Sequence, residues 1–436
     1  MKLYLKTIRK ITSSYLDYDY NININSKLQI LNKTESNEYL LYKELLRKKI
    51  IDNLIKIFIN EIKKLKTIHK NINLYNILKY NKINELIQKW CWLQYYNNTI
   101  CDVVIPYVLN EKYNYDNLIN DINYILNLKI NYDNKIIINL NNKVKKYLKS
   151  SYNKYLKLIS DTKNLNKNIK ILLIKNKDDI IFTLYSESNS KLLSFNTNID
   201  LYNRLYNKFI HTNLKSKLDP NIFIFSLLYR YSYIDSGNQQ LAIDKTIKYL
   251  FAKIGVDFEL YGSAINVISN YYCSLFYDIE KYFGSQGNFF DIELKQGIYW
   301  CNPPYDDSIM TNTAIKLIKI LEIYKNIAFI ITIPIWDKKT QYHKLEYVTK
   351  NYNINTHSND HKDYKIYSLL KPYIKAEILI PKKRIPYFNY RLNRYIYAVD
   401  TYMLIVYNNI DNLYVKSLHD IFDLIIKLDK KNYFIV

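Results

Sequence analysis

The apolar positions of the first half of the chain recur at helical spacing. Between residues 43 and 68, Leu46, Ile50, Leu54, Ile55, Phe58, Ile62 and Leu65 follow one another at three- and four-residue intervals with lysines between them. That pattern predicts an amphipathic helix whose apolar stripe is core. Around 171 to 185 the period shortens: ILLI and IIFTLY flank the polar stretch from Lys175 to Asp179, as the two strands of a hairpin do. Residues 1–215 are therefore expected to form a mainly helical domain that is not purely helical.

Beyond about residue 215 the two periods alternate. Asp219-Pro220 reads as the N-cap and first residue of a helix reaching about Tyr233, and Asn238 as the cap of another that stops at Gly255. DFELYG (257–262) then reads as a strand ending in a tight turn, 265–273 as a helix and SLFYD (274–278) as a second strand. GIYWC runs as a strand into a loop, a helix begins at about Asp307, and NIAFIITIP (326–334) has the unbroken apolar run of a buried strand. KAEILIP (375–381) and TYMLIVY (401–407) suit an antiparallel pair at the sheet edge. Strands alternating with helices predict a Rossmann-like, doubly wound α/β domain over residues 216–436.

Composition sharpens that division. All six glycines, Gly237, Gly255, Gly262, Gly284, Gly287 and Gly297, fall in one window, and seven of the eight prolines lie at or beyond Pro220. A chain that otherwise avoids glycine keeps it where backbone geometry demands it, so this window is the first place to look for an active-site framework. The balance of 63 Lys+Arg against 40 Asp+Glu gives a net charge of +23. Such an excess points to a polyanionic partner, nucleic acid before a membrane surface. The abundance of Lys, Asn, Ile and Tyr is also what an AT-rich genome produces, and that origin for part of the charge stays open. The 4 cysteines form no CxxC pair and the 6 histidines no HExxH, so neither zinc nor disulfides are expected. No long apolar run and no signal-peptide core are visible, and the protein is expected to be soluble and intracellular.

In a doubly wound sheet, ligands bind beyond the carboxyl ends of the strands near the point where the strand order reverses. Tyr261-Gly262-Ser263 and Asn302-Pro303-Pro304-Tyr305 both lie at such ends. The second of these resembles the catalytic tetrapeptide of N6-adenine and related amino-methyltransferases. The resemblance implies that Asn302 Oδ1 and the Pro303 carbonyl accept the two N6 hydrogens of adenine, that the two prolines fix the loop, and that Tyr305 stacks on the base. It also implies S-adenosylmethionine as cofactor, with no metal. The N6 lone pair is delocalised into the purine ring, so two acceptors are needed to draw it toward the methyl group. Gly262, Ser263 and Asn266 are the candidate cofactor turn. For Asp278 two roles are open: the acid that binds the cofactor ribose, or a helix cap.

A narrower resemblance follows. SLLYRYSYIDSGNQQLAI, LFAKIGVDFELYGSAINVISNYYCSLFYDIEKYFGSQGNFFDI, WCNPPYDDSIM and IPIW are similar, in that order, to the catalytic domain of the phosphorylated-CTD-interacting-factor family, over about residues 222–340. Members of that family methylate N6 of the first transcribed adenosine beside the 7-methylguanosine cap. The resemblance implies capped mRNA as partner, an accessory and RNA-binding role for residues 1–215, and cofactor or substrate contacts for Arg230, Gln240, Phe283, Gly284, Asp307 and Trp336. Arg230, one of seven arginines in a lysine-biased chain, is open to the alternative of a structural salt bridge, and Asp307 to that of a helix cap. Lys382, Lys383 and Arg384, interleaved with Tyr387, Tyr390, Arg391 and Arg394, suit an RNA groove or else a solvated loop. Animal members carry an amino-terminal WW module, whereas Trp90 and Trp92 lie too close together to be its tryptophan pair. The alternatives to cap-adjacent adenosine methylation are a DNA N6-adenine methyltransferase and a non-catalytic RNA-binding relative.

Overall fold

The computed structural model describes residues 23–24, 37–64, 80–97, 102–108, 113, 115, 118–119, 135–161, 170–186, 188–212, 218–234, 242–244, 247–248, 251, 255–256, 258–267, 269–335, 346–349, 365–380, 387–389, 394–396, 400–410, 418–420, 422–423 and 425. The chain divides into two units, one of residues 34–237 and one of residues 1–33 with 238–436. Among the described residues no helix is long and apolar enough to cross a membrane.

After a two-residue strand, β1 (Asn23–Ile24), the first unit runs α1 (Asn37–Lys63), α2 (Tyr80–Asn97), α3 (Lys135–Asp161), β2 (Lys170–Lys175), β3 (Asp179–Tyr185), β4 (Lys191–Asn198), α4 (Ile199–Thr212) and α5 (Pro220–Tyr233). On α1 the expected stripe is inward: Ile50, Leu54, Ile55, Phe58 and Ile62 are buried. Leu46 is only partly buried, and Leu65 lies outside the described residues. Leu40 and Leu41, both buried, extend the stripe toward the N-terminus and start the helix earlier than 43. Strands β2 and β3 make the expected hairpin, and β4 adds a third, antiparallel strand whose polar SFNTN end hid it.

Helix α5 has the predicted bounds and the predicted cap, Asp219 Oδ1 accepting from Asn221 N at 2.9 Å. It nevertheless belongs to the first unit. Every residue from Phe223 to Tyr231 is buried, a continuous apolar surface that packs with α1. The division between the two compact units falls after residue 237, and the shift in proline and glycine usage near 215 coincides with the start of α5.

The second unit carries β5 (Ala242–Ile243), β6 (Phe258–Glu259), β7 (Tyr271–Tyr272), α6 (Tyr277–Glu280), β8 (Ile292–Glu293), β9 (Gly297–Cys301), α7 (Asp307–Ile323), β10 (Ile327–Ile335), β11 (Glu346–Thr349), α8 (Lys365–Leu370), β12 (Ile374–Ile380), β13 (Tyr387–Asn389), β14 (Arg394–Ile396) and β15 (Asp400–Tyr407). A seven-stranded sheet has the order β11-β12-β15-β10-β9-β6-β7. From β7 through β10 all neighbours are parallel, while β15, β12 and β11 pair antiparallel. The 374–380 and 400–407 strands pair as expected, but β15 lies inside the sheet, between β10 and β12.

Alternate residues of each strand feed two cores. Tyr299, Cys301, Phe329 and Ile331 face Met310, Leu317 and Leu321 of α7 together with Ile366 and Leu370 of α8. Ile298, Trp300, Ala328 and Ile330 face Ile247, Phe251, Leu418 and Phe422 on the other side. With both faces covered, the strands read as unbroken apolar runs, the mark of a buried parallel sheet. The helix expected over 265–273 is absent: 264–266 form a turn and 271–272 already pair with β6. The strand expected over 274–278 likewise ends at Tyr272, and Asp278 falls in α6. Asn266, Ser269 and Asn270 bond locally in turns more readily than they extend a helix.

Candidate active site

The order of the sheet locates the crevice. The chain moves from β6 outward to β7, then returns to the other side of β6 for β9, so the strand order reverses between β6 and β9. Glu259 of β6 stands opposite Trp300 of β9, and Leu260 N donates to Trp300 O at 2.7 Å. Two residues further along these parallel strands come Gly262 on one and Asn302 on the other, so the glycine turn and the tetrapeptide leave the same edge side by side. This is where a ligand site belongs in an open α/β sheet.

The glycine turn is built tightly. A Cβ on Gly262 would stand 2.3 Å from Val267 Cγ1, closer than any real contact, so only glycine lets the chain double back here. Gly262 N donates to Cys273 O at 2.8 Å, and Ser263 N to Asn266 Oδ1 at 2.9 Å. Ala264 N donates to Glu280 Oε2 at 2.6 Å, and Glu280 also accepts from Tyr272 OH at 2.8 Å. Beneath the turn, Lys248 and Glu259, each 1% exposed, pair at 3.0 Å, and Lys248 donates to Asn266 O at 2.7 Å. The Lys248 ammonium also lies over the Trp300 ring, 4.7 Å from its centroid. A buried pair of this kind persists only where further hydrogen bonds offset its desolvation, which these supply.

The tetrapeptide loop ends β9. Pro303 is buried, whereas Asn302, Pro304 and Tyr305 keep part of their surface accessible. Asn302 Oδ1 itself is buried and has no hydrogen-bond partner among the described residues. A buried acceptor without a partner costs about 1–3 kcal/mol, and natural proteins rarely tolerate one without a use for it. Asp306 N donates to Pro304 O at 2.8 Å, and Asp306 Oδ1 accepts from Ile309 N at 3.4 Å, which makes Asp306 the cap of α7. Asp307 is the first residue of that helix. Tyr305 OH meets Tyr387 OH at 2.7 Å. Burial, with the neighbouring Tyr387, pushes the Tyr305 phenol well above its ordinary pKa, so it is neutral. Burial likewise raises the Cys301 thiol well above its usual range, which removes it as a nucleophile.

The other sequence candidates separate. Ser263, Asp278 and Phe283 are 7%, 6% and 1% exposed, and Phe283 is core of the turn that Gly284 closes with φ 96. The acid that holds the glycine turn is Glu280, two residues beyond Asp278. Arg230 is 0% exposed and belongs to the first unit, its Nε donating to Glu44 Oε2 at 3.0 Å. That is the geometry of a structural salt bridge, one of the two roles open to it. Gln240, Trp336, Lys382, Lys383 and Arg384 lie outside the described residues. Among the described residues no group of three or more His, Cys, Asp or Glu side chains is arranged to hold a metal ion.

Residues 200–366, from α4 to α8, match a family model described as the phosphorylated CTD interacting factor 1 WW domain. That span holds the glycine turn, the tetrapeptide and four parallel strands, and excludes Trp90 and Trp92. This segment is similar to the phosphorylated CTD interacting factor 1 family. Two curated relatives carry the name mRNA (2'-O-methyladenosine-N(6)-)-methyltransferase. The mouse protein is 34% identical over 101 residues, 23% of this chain and 14% of its own length. The human protein is 35% identical over 83 residues, 19% of this chain and 12% of its own length. The similarity thus spans about an eighth of each relative.

Proposed function

We propose that this protein is an S-adenosylmethionine-dependent methyltransferase acting on N6 of the cap-adjacent adenosine of m7G-capped mRNA. The observation that carries the reading is Asn302 Oδ1, a buried acceptor with no partner among the described residues, at the strand-order reversal beside a glycine turn. S-adenosylmethionine supplies an electrophilic methyl group, and the residues fit it: the turn at Gly262 to Asn266 rests on Glu280 and Lys248, and Gly262 and Asn266 keep accessible surface.

Asn302 Oδ1 accepts one N6 hydrogen and the Pro303 carbonyl the other. Two acceptors at fixed positions favour a pyramidal nitrogen whose lone pair points at the methyl group. Asn302 Oδ1 has no partner among the described residues, and the desolvation cost of such an acceptor is recovered when that donor arrives. Tyr305 offers its ring to the base, and its neutral phenol brings no charge to the crevice. The methylated nitrogen is cationic and loses its proton readily to water, so no strong base is required.

The charge supports a nucleic-acid substrate. Helix α3 buries Ile137, Leu140, Val144, Leu148 and Tyr155 on one side and exposes Lys146, Lys149, Lys154 and Lys157 on the other, with Asp161 its single acid. RNA is favoured over duplex DNA by the names of the relatives. The reading is tested by initial rates with labelled S-adenosylmethionine on capped RNA, the same RNA uncapped, and duplex DNA. Transfer is expected only where adenosine adjoins the cap. Equal rates with and without the cap remove the cap assignment, preference for the duplex favours the DNA enzyme, and no transfer to any substrate leaves a binding protein.

A further inference from the structure

Tyr305 and Tyr387 lie far apart in sequence, yet their hydroxyl oxygens are 2.7 Å apart, and the Tyr387 hydroxyl is 2.7 Å from Thr401 Oγ1. The three residues come from three places: the loop after β9, strand β13, and the start of β15. Tyr387 is 4% exposed and Thr401 1%. Both anchors are fixed by strand pairing. Tyr387 stands opposite Ile396 of β14 on one side and Ile243 of β5 on the other, while Thr401 stands opposite Pro334 at the carboxyl end of β10. Burial raises both phenols, so the chain is one of neutral hydroxyls, each able to give one hydrogen bond and accept another.

Stacking on a base needs only the ring, and a phenylalanine at 305 would supply one. The hydroxyl adds a second point of attachment. A tyrosine ring turns about two torsions at its Cβ end; tying the oxygen at the far end restricts the swing about the Cα–Cβ bond, so the place of the ring is set, while rotation about the Cβ–Cγ axis, on which the oxygen lies, is left to the packing of the ring faces. We propose that Tyr387 is a positioning residue, its hydroxyl holding the Tyr305 ring in the place at which that ring meets the target base, with Thr401 holding Tyr387 in turn. The proposal rests on the reading above that Tyr305 is the platform for the base.

The test compares Tyr387→Phe, Tyr305→Phe and Thr401→Val, each of which keeps the shape of the side chain. On single-stranded adenosine-containing capped RNA, Tyr387→Phe and Tyr305→Phe should each lower kcat about tenfold, with S-adenosylmethionine Kd by calorimetry unchanged. Because both remove the same Tyr305–Tyr387 hydrogen bond, the double variant should be no slower than the slower single one. Thr401→Val leaves the Tyr305–Tyr387 hydrogen bond in place and should lower kcat about threefold. Wild-type kcat in Tyr387→Phe, or losses that multiply in the double variant, would overturn the proposal. A crystal structure of Tyr387→Phe decides the matter without activity: the Tyr305 ring should be displaced or split between orientations, and an unmoved ring overturns it. If the wild-type protein methylates nothing, the proposed function fails while the ring's response in that crystal still reports on the brace. Thr401→Val read the same way serves if Tyr387→Phe does not fold.

Discussion

One buried network in the first unit and one buried acceptor in the second are opposite cases of buried polarity. In the first unit Arg230, Glu44, Arg47 and Asp102 form an alternating chain of charges: Arg47 NH1 meets Glu44 Oε1 at 2.7 Å and Arg47 NH2 meets Asp102 Oδ2 at 2.7 Å. Tyr233 OH donates to Glu44 at 2.8 Å and Tyr155 OH to Asp102 at 3.0 Å. Burial works against the Asp102 charge, yet Arg47 prevails and holds that carboxyl below its usual range. The network joins α1, α3, α5 and the segment from 102, and its members bond one another. In the second unit Asn302 Oδ1, equally shielded from water, bonds none of the described residues. The contrast separates structural from functional polarity: a group whose bonding capacity is used within the fold holds elements together, and one left unused at a crevice is available to a ligand.

The largest effect should come from breaking the satisfied network. Glu44→Ala leaves Arg230 and Arg47 buried without their shared carboxylate and should destabilise the protein by about 3–5 kcal/mol in urea unfolding. A loss below about 1 kcal/mol would show that the network does not hold the unit. Asn302→Ala tests the other side of the comparison. It should reduce methyl transfer about a hundredfold or more, equivalent to about 3 kcal/mol, while leaving stability and cofactor affinity nearly unchanged. Because this side chain's acceptor has no described partner to lose, a substantial drop in melting temperature would argue that Asn302 is structural after all. The smallest effect is expected on the exposed surface. Changing Lys146, Lys149 and Lys157 of α3 to Ala should make the salt dependence of RNA binding shallower by about two in the log–log slope, counting about 0.7 for each phosphate contact on a single strand. An unchanged slope would assign the basic face of that helix to composition alone.

What the sequence alone determined is what local chemistry determines. The apolar stripe of α1, the Asp219-Pro220 start of α5, the start of α7 and the buried run of β10 all follow from period, cap and propensity over neighbouring residues. The confinement of glycine to one window found the turn at Gly262, since the clash a Cβ would meet there comes from Val267, five residues on. Asn302 to Tyr305 stood out because the loop chemistry is contiguous. What only the tertiary structure decided is which distant groups meet. Arg230 meets Glu44, 186 residues away, and the apolar surface of α5 packs on α1. Glu280, Lys248 and Tyr387 reach the crevice through strand order and register, which depend on loop closure and on burial summed over a whole sheet, and no local window of residues carries that information.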